Sequence, residues 1–185
     1  ISGAAGLLAT KGTAHGMGHG ISAFKSGEPV PKAKQRPALK DGEPIRLGII
    51  GPGGMGTGHA HAFADITKRG EEKVQLVALA DVCDLRCEDS KKRWEKDFPG
   101  IKVDTYRDHK QLVNRDDIHA VLIASPEHWH SRHAIDAILA GKDVFLEKPM
   151  TLYIEEAVDL IRVLEANPQC VFQVGTQKMQ LKKYQ

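Results

Sequence analysis

The stretch that decides the fold is Ile45-Arg46-Leu47-Gly48-Ile49-Ile50-Gly51-Pro52-Gly53-Gly54-Met55-Gly56. Its first half is short and largely apolar, as in a buried strand. Its second half is a G-x-G-x-x-G pattern. The residues that come next have a helical spacing, which would place on one face of a helix Met55, His59, Ala62, Phe63 and Ile66. The sequence therefore predicts a strand, a tight glycine turn and a helix in direct succession.

The glycines of this turn have separate roles in binding a dinucleotide. Gly51 permits the tight turn, Gly53 leaves room for the backbone to approach a pyrophosphate, and Gly56 lets the helix pack close to the strand. The free N–H groups and partial positive charge of the helix N-terminus favour phosphates. A glycine-rich turn that holds no ligand is the alternative. The strand before the turn and the helix after it favour a dinucleotide.

Predicted strands and helices alternate through the rest of the chain. The further strands are at 73–82, 102–106, 119–125, 143–147 and 171–175, and the further helices at 84–98, 131–140 and 151–166. The last helix has Ile154, Ala157, Val158, Ile161 and Leu164 on one face. Alternating elements with apolar strands form a parallel sheet covered on both sides. The predicted fold is α/β, a Rossmann-like doubly wound parallel sheet whose ligand lies at the carboxyl ends of the strands.

The chain has two segments of different amino-acid composition. Residues 1–44 are rich in small and polar residues without periodicity, and they cannot bury enough surface to fold alone. We interpret 1–10 as the remnant of a secretory signal peptide and 11–44 as a flexible linker. A disordered extension without a targeting role is the alternative. Residues 45–180 are the predicted nucleotide-binding domain. Because the chain starts at Ile and ends without a stop signal after a strand, we expect a fragment that lacks its substrate domain.

The composition argues against several classes of protein. The net charge is +2, and no basic stripe with interleaved aromatic residues suggests a nucleic-acid partner. With 41% hydrophobic and 27% charged residues, the chain resembles an ordinary soluble domain without a membrane span. Three cysteines, of which Cys83 and Cys87 lie four apart, form neither a disulfide framework nor a zinc pattern. His15 and His19 could hold a metal weakly, but we expect no metal.

Asp81 follows the second predicted strand, thirty positions after Gly51. A carboxylate at this place accepts hydrogen bonds from both ribose hydroxyls of NAD and repels the 2′-phosphate of NADP. Arg86 lies nearby and could contact the adenine or a phosphate, so NADP stays the less favoured cofactor. A cap for the helix that begins near Asp84 is the alternative role of Asp81.

The fourth predicted strand ends in Ser125-Pro126-Glu127-His128-Trp129-His130. Imidazole is a common metal ligand, and a third histidine, His133, follows. The spacing does not match helical zinc pairs, and no cysteine or extra acid completes a site. A role beside the substrate or cofactor fits the position of these histidines better.

The fifth predicted strand ends in Glu147-Lys148-Pro149. A lysine at this edge could hydrogen-bond a hydroxyl that is being oxidised and help its proton leave. Pro149 would fix the turn and direct the lysine. From the residues alone, an ordinary surface lysine is the alternative.

These motifs, in this order, resemble the glucose–fructose oxidoreductase/inositol dehydrogenase (Gfo/Idh/MocA) family. The resemblance runs from residue 45 to about 180 through G-x-G-G-x-G, the strand-end Asp, S-P-E-H-W-H, A-G-K-D-V-F-L-E-K-P and Q-V-G-T-Q. It implies a second, C-terminal α/β domain with a large open sheet, which contributes the main acid or base. It also implies that Lys148 lies beside the nicotinamide and that Pro126, with the residues after it, lines the nicotinamide side. Many members have Asn where this chain has Glu127, followed by a histidine that matches His130.

The resemblance and the residues together define the expected site. Lys148 is the expected catalytic residue. The expected cofactor-binding residues are Gly51, Gly53, Gly54, Met55, Gly56, Asp81, Arg86, Ser125, Pro126, His130, Glu147 and Lys148.

The expected function is oxidation of a CH–OH group of a sugar, polyol or glycoside with NAD. The alternatives are an NAD-using glycosidase or lyase of the same family and a non-catalytic regulator that binds dinucleotide. We further expect a small-molecule sugar or polyol substrate and a homo-oligomeric full-length protein. Export through a twin-arginine signal is one expectation for its location, and the cytoplasm is the other.

Overall fold

The computed structural model describes residues 23–24 and 28–176. The strands are β1 (Ile45–Ile50), β2 (Val74–Ala80), β3 (Asp104–Tyr106), β4 (Ala120–Ile123), β5 (Asp143–Glu147) and β6 (Phe172–Gly175). All pair in parallel in one sheet of order β3-β2-β1-β4-β5-β6. This order confirms the predicted Rossmann-like, doubly wound fold.

Five α-helices connect the strands: α1 (Gly54–Lys68), α2 (Asp84–Asp97), α3 (His109–Val113), α4 (His130–Leu139) and α5 (Ile154–Ala166). A 3₁₀ turn at Glu127–Trp129 precedes α4. Helix α3 was not predicted from the sequence, because a helix of five residues is too short to show a helical period. Asp108 caps α3 by accepting the N–H of Lys110 at 2.9 Å. Helix α5 begins later than predicted, where Glu156 accepts the N–H groups of Leu152 and Tyr153.

The sheet has one apolar core on each face. One core joins α3, α4 and α5 to the sheet, with Ile138 and Leu160 fully buried. The other joins α1 and α2 to the opposite face, with Ala64 and Trp94 buried. Full burial of a side chain such as Leu160 contributes about 1.5–3 kcal/mol. The two cores hold the strand ends that carry the polar residues in fixed positions.

The apolar face of α5 is not the face that meets the sheet. Ile154 is 80% exposed, and Val158 and Ile161 are each 50% exposed. Leu160 and Val163 point into the core instead. Three members of the stripe seen in the sequence are therefore on the surface, whereas Leu164, at its end, packs against the core together with Leu160 and Val163.

Residues 28–44 form neither helix nor strand, but they are bonded to the domain behind them. The N–H of Ala33 donates to Asn167 Oδ1 at 2.7 Å, and the N–H of Lys34 donates to the carbonyl of Leu139 at 2.8 Å. A side chain at Gly141 would meet the carbonyl oxygen of Lys34 at 2.7 Å. This part of the predicted linker is thus fastened across α4 and α5. The predicted signal remnant at 1–10 and the histidines at 15 and 19 lie outside the described residues.

Among the helices of the described segments, none is both long and apolar enough to cross a bilayer.

Candidate functional site

The glycine turn after β1 packs directly against the end of β4. Gly51 has φ +81°, and a Cβ there would lie 2.5 Å from the backbone nitrogen of Ser125. A Cβ at Gly56 would lie 2.4 Å from the carbonyl oxygen of Gly51. A side chain at Gly51 would cost about 1–2 kcal/mol in backbone strain alone. These two glycines therefore serve the close packing of β1, α1 and β4, which is the topological switch point of the sheet.

The other two glycines of the turn face open space. A Cβ at Gly53 or Gly54 would meet no atom within 4 Å. Helix α1 starts at Gly54 with no side-chain cap and no acidic residue in its first turn, so its free N–H groups and partial positive charge are available to an anion. Met55 beside them is 47% exposed. The residues present therefore fit a pyrophosphate that approaches the backbone closely.

Asp81 lies at the end of β2, next to this turn. Its Oδ1 accepts the N–H of Cys83 at 2.9 Å, and its Oδ2 lies 3.9 Å from Arg86 Nη1. Cys83 is the residue that precedes α2, so the carboxylate does support the start of that helix. Arg86, which lies opposite its second oxygen, lines a cleft of about 430 Å³ between α1 and α2. The lining residues include Pro52, Gly53, Gly54, Arg86 and Arg93. The cleft suits the ribose and adenine end of a dinucleotide.

His130 is buried and joins the β4 loop to the β5 loop. It is 2% exposed, with Nδ1 2.6 Å from the carbonyl oxygen of Pro149 and Nε2 2.7 Å from that of Ser125. Both ring nitrogens thus face carbonyl oxygens of the protein, and a neutral ring donates to one of the two. His130 therefore lies between the two loops and supports them, and its contact with the cofactor stays a prediction. Pro126, by contrast, is exposed at the loop surface.

Ser125 has a side-chain partner that the sequence did not reveal. Its Oγ lies 3.0 Å from His133 Nδ1. The His133 ring stacks on Trp129 at 5.5 Å and meets the His109 ring at 4.3 Å. Burial, followed by the charge of His109, lowers the pKa of His133 to about 3. His133 is therefore neutral near pH 7, and its Nδ1 shares a hydrogen bond with the Ser125 hydroxyl.

The depressed pKa of His133 predicts a loss of stability in mild acid. In the unfolded chain the group titrates near 6.5, whereas in the fold it takes up a proton only near pH 3. Above about pH 6.5 His133 is neutral in both states and does not lower the free energy of unfolding. As the pH falls from there toward 3, the free energy of unfolding declines, because only the unfolded state gains the proton. We expect His133→Asn, which does not titrate, to show a smaller fall in unfolding free energy between pH 7.5 and 5.

Urea denaturation at the two pH values measures this fall. The Asn amide offers both a donor and an acceptor to the Ser125 hydroxyl, so the variant keeps a hydrogen-bonding group at this position. The exposed His128, changed to Asn, is the matched control and should leave the pH dependence as it is. Equal falls in the His133 variant and the unchanged protein would contradict the explanation.

Lys148 follows β5 at the same edge of the sheet. Its side chain is exposed, and its ammonium makes no hydrogen bond or ion pair with any residue in the described parts of the chain. Ser125 and Lys148 follow the paired strands β4 and β5, whose loops His130 connects. Gly51 contacts Ser125 on the other side. The ends of β1, β4 and β5 thus converge, and Lys148 follows β5 as an exposed residue at this edge of the sheet.

Both carboxylate oxygens of Glu147, in contrast, already have hydrogen-bond partners within the protein. The residue is 4% exposed; one carboxylate oxygen lies 2.5 Å from His59 Nε2, and the other accepts the N–H of Lys148 at 3.0 Å. A contact of Glu147 with the cofactor was predicted from the sequence and stays a prediction, whereas His59 was named only as part of the helical face after the glycine turn. The available signal was the place of His59 in the second turn of the helix that follows the glycine turn.

Fold and site together define a dinucleotide-binding domain of the Rossmann class. The profile of the Gfo/Idh/MocA oxidoreductase family, NAD-binding Rossmann fold, matches residues 45–176. The chain belongs to this family, and its domain binds NAD.

Similar proteins are known from sequence and from structure. The chain is 36% identical over 124 residues to glycosyl hydrolase family 109 protein 2 of a Shewanella species, and 34% identical over 127 residues to an α-N-acetylgalactosaminidase of Shewanella oneidensis. These matches cover 65% and 66% of this chain and 26% of each relative. The chain thus spans about a quarter of the length of these relatives.

Among solved structures, scyllo-inositol dehydrogenase of Lactobacillus casei with bound NAD(H) and scyllo-inositol superposes with a TM-score of 0.62 at 30% identity. The match covers 72% of this chain and 36% of that one. The apo form of that enzyme gives a TM-score of 0.63.

Proposed function

We propose that this chain is the cofactor-binding part of an enzyme that oxidises a CH–OH group of a sugar, polyol or glycoside with NAD. The observation that carries the proposal is the position of Lys148, an exposed residue directly after β5, whose end lies beside those of β4 and β1. A lysine at this edge of the sheet, with no ion-pair partner among the described residues, is available to a ligand of the glycine turn.

The residues of the chain divide the work of such a reaction. NAD supplies the hydride acceptor when it is bound. Gly53, Gly54 and the start of α1 would hold its pyrophosphate, and Asp81 would accept hydrogen bonds from its adenosine ribose. The Lys148 ammonium would donate a hydrogen bond to the substrate hydroxyl oxygen and stabilise the negative charge that develops as the proton leaves.

The rest of the site lies outside these residues in our proposal. The wall against the substrate and the main acid or base would come from a second domain. The inositol dehydrogenase that superposes on the chain with NAD(H) and scyllo-inositol supports a polyol or sugar as the substrate class.

The relatives named glycosyl hydrolase family 109 protein and α-N-acetylgalactosaminidase favour a second candidate. In an NAD-using glycosidase, the cofactor would supply a reversible oxidation of a hydroxyl. The ketone would acidify a neighbouring C–H, loss of that proton would expel the glycosidic oxygen, and water would add to the resulting double bond before the carbonyl is reduced again. The first step is the same in both candidates, so the same residues would serve it. A purely regulatory dinucleotide-binding protein is the weaker candidate. Such a protein catalyses no step that would require an exposed lysine, without a partner among the described residues, at this edge of the sheet.

Net products separate the two enzymes. The full-length protein should be incubated with NAD and, in parallel, with free sugars and polyols and with nitrophenyl glycosides. A dehydrogenase accumulates NADH in proportion to the oxidised substrate. A glycosidase releases nitrophenol without net NADH. Neither product, from a protein that binds NAD, would contradict both activities and support a regulatory role.

We expect the protein to prefer NAD to NADP because of Asp81. Two like charges about 4 Å apart repel by roughly 4 kcal/mol at an effective dielectric constant near 20, and Arg86 offsets part of this. Asp81→Asn removes the charge but keeps an acceptor for the Cys83 N–H. The ratio of the NADP to the NAD dissociation constant, measured by calorimetry, should fall at least about tenfold in this variant.

An exposed carboxylate on α1, Asp65, gives the matched control. Asp65→Asn should leave the ratio of the two dissociation constants as it is. Equal or tighter binding of NADP by the unchanged protein would show that Asp81 serves only the start of α2.

A further inference from the structure

Glu147 is a buried carboxylate that connects two elements of the site. It ends β5, and its Oε1 lies 2.5 Å from Nε2 of His59 on α1. Its Oε2 accepts the N–H of Lys148 at 3.0 Å. Because carboxylate oxygens only accept, His59 Nε2 donates the proton of the first hydrogen bond. One carboxylate thus joins α1, whose N-terminus faces the open cradle, to the backbone of the residue that carries the free ammonium.

The neighbours of this pair leave it little room to move. Phe145 meets the His59 ring edge-on, with ring centroids 5.3 Å apart and an angle of 63° between the planes. Gly175 of β6 closes the other side: a Cβ there would lie 3.0 Å from the Phe145 ring and 3.2 Å from Glu147 Oε1. His59 itself keeps 26% of its side chain exposed. The pair is therefore fixed by the sheet and not by long flexible side chains.

We propose that His59 and Glu147 are positioning residues that hold Lys148 in register with α1. The inference rests on the proposed function, because it takes Lys148 as the group that acts on the substrate. The hydrogen bond from His59 fixes the carboxylate, and the carboxylate fixes the backbone of Lys148. The phosphate-facing helix and the catalytic lysine are thereby kept at one distance from each other.

The physical reason is the cost of a buried charge without a partner. Without the His59 donor, a single backbone N–H is the remaining hydrogen-bond partner of Glu147 within the described residues. A buried, poorly compensated carboxylate either takes up a proton or turns toward water, and both weaken its hold on Lys148. Since a misplacement of about 1 Å can cost about 10²-fold in rate, the effect on the chemical step should be large.

The first test uses two variants of His59 in the full-length protein. His59→Leu removes the donor, and we expect kcat to fall about 10- to 100-fold while the dissociation constant for NAD stays within about threefold. His59→Gln places an amide N–H where Nε2 lies, without an ionisable ring, and should recover most of the lost turnover. Activity is followed with whichever product, NADH or nitrophenol, the full-length protein forms.

A double-mutant cycle tests whether His59 acts through Lys148. In a protein that already carries Lys148→Met, adding His59→Leu should lower kcat little further, because the group that His59 positions is gone. Val163→Ala, a core change on α5, is the matched control for loss of stability. It should lower the melting temperature without a loss of kcat and without coupling to Lys148.

A third readout needs no turnover. The N–H of Lys148 should exchange with solvent at least about tenfold faster in His59→Leu than in the unchanged protein without cofactor, because its acceptor is no longer fixed. Exchange of this amide should be unchanged in His59→Gln and in Val163→Ala. Hydrogen-exchange mass spectrometry of a peptide that contains the Lys148 amide measures it.

The outcomes separate this inference from the proposed function. Additive effects of His59→Leu and Lys148→Met, or normal exchange of the Lys148 amide in His59→Leu, would overturn the inference while the role of Lys148 stands. Full turnover by Lys148→Met alone would overturn the role of Lys148 and the inference with it.

Discussion

Lys148→Met in the full-length protein is expected to lower turnover by about 10²–10⁴-fold while NAD binds nearly as well as before. Met has a similar length but neither a charge nor a hydrogen-bond donor. Since the ammonium contacts no other residue in the described part of the chain, its removal breaks no interaction of the fold. Product formation with a panel of sugars, polyols and glycosides, together with a cofactor titration of the same samples, measures both quantities.

Two controls accompany this experiment. Lys92→Met changes an exposed lysine on α2, away from the converging strand ends, and should leave turnover as it is. Residues 1–185 alone should bind NAD and form no detectable product, because in our proposal the main acid or base and the substrate wall belong to another domain. Turnover by these residues, or an active Lys148→Met enzyme, would place the catalytic group elsewhere, with His128 the next candidate.

Gly53→Val is the second change with a large expected effect, and it acts on the cofactor. A Cβ at this position meets no protein atom within 4 Å, so the variant should fold normally. The two methyl groups of Val would occupy the space through which a pyrophosphate approaches the backbone of the turn. Loss of two hydrogen bonds to charged oxygens, at about 1.5–3 kcal/mol each, corresponds to at least about 10²-fold in affinity.

Calorimetric titration with NAD tests this expectation, and circular dichroism confirms that the variant is folded. Ala62→Val, on an exposed position of the same helix, controls for the introduction of a β-branched residue into α1. Unchanged NAD affinity in a folded Gly53→Val protein would remove the cofactor from this turn.

Much of the fold follows from local patterns. Runs of apolar residues marked the strands other than the short β3, and Asp143–Glu147 was predicted with its exact bounds. The glycine spacing predicted the turn after β1. The structure gives the reason: Gly51 has φ +81°, and a Cβ at this position would clash with the backbone of Ser125. Helix α3 escaped prediction, since its five residues show no period and a cap at Asp108 defines it.

The roles of the site residues were only partly visible in the sequence. Its place at the end of β5 pointed to Lys148 as a crevice residue. The same kind of argument placed His130 on the cofactor side, but sequence position does not tell whether a side chain turns inward. His130 is 2% exposed, and its ring nitrogens lie against the carbonyl oxygens of Ser125 and Pro149, so the residue supports two loops.

The sequence by itself thus determined which segments become strands, which turn is rich in glycine, and at which edge the polar residues collect. These are short-range properties, set by the alternation of apolar residues and by the backbone freedom of glycine. Only the tertiary structure decided which side chains meet across that edge. His59 and Glu147 are 88 positions apart in the chain. Ser125, in the loop after β4, contacts His133 because that loop leads directly into α4. Such contacts depend on the order and register of the parallel strands, which set the distance between elements far apart in the chain.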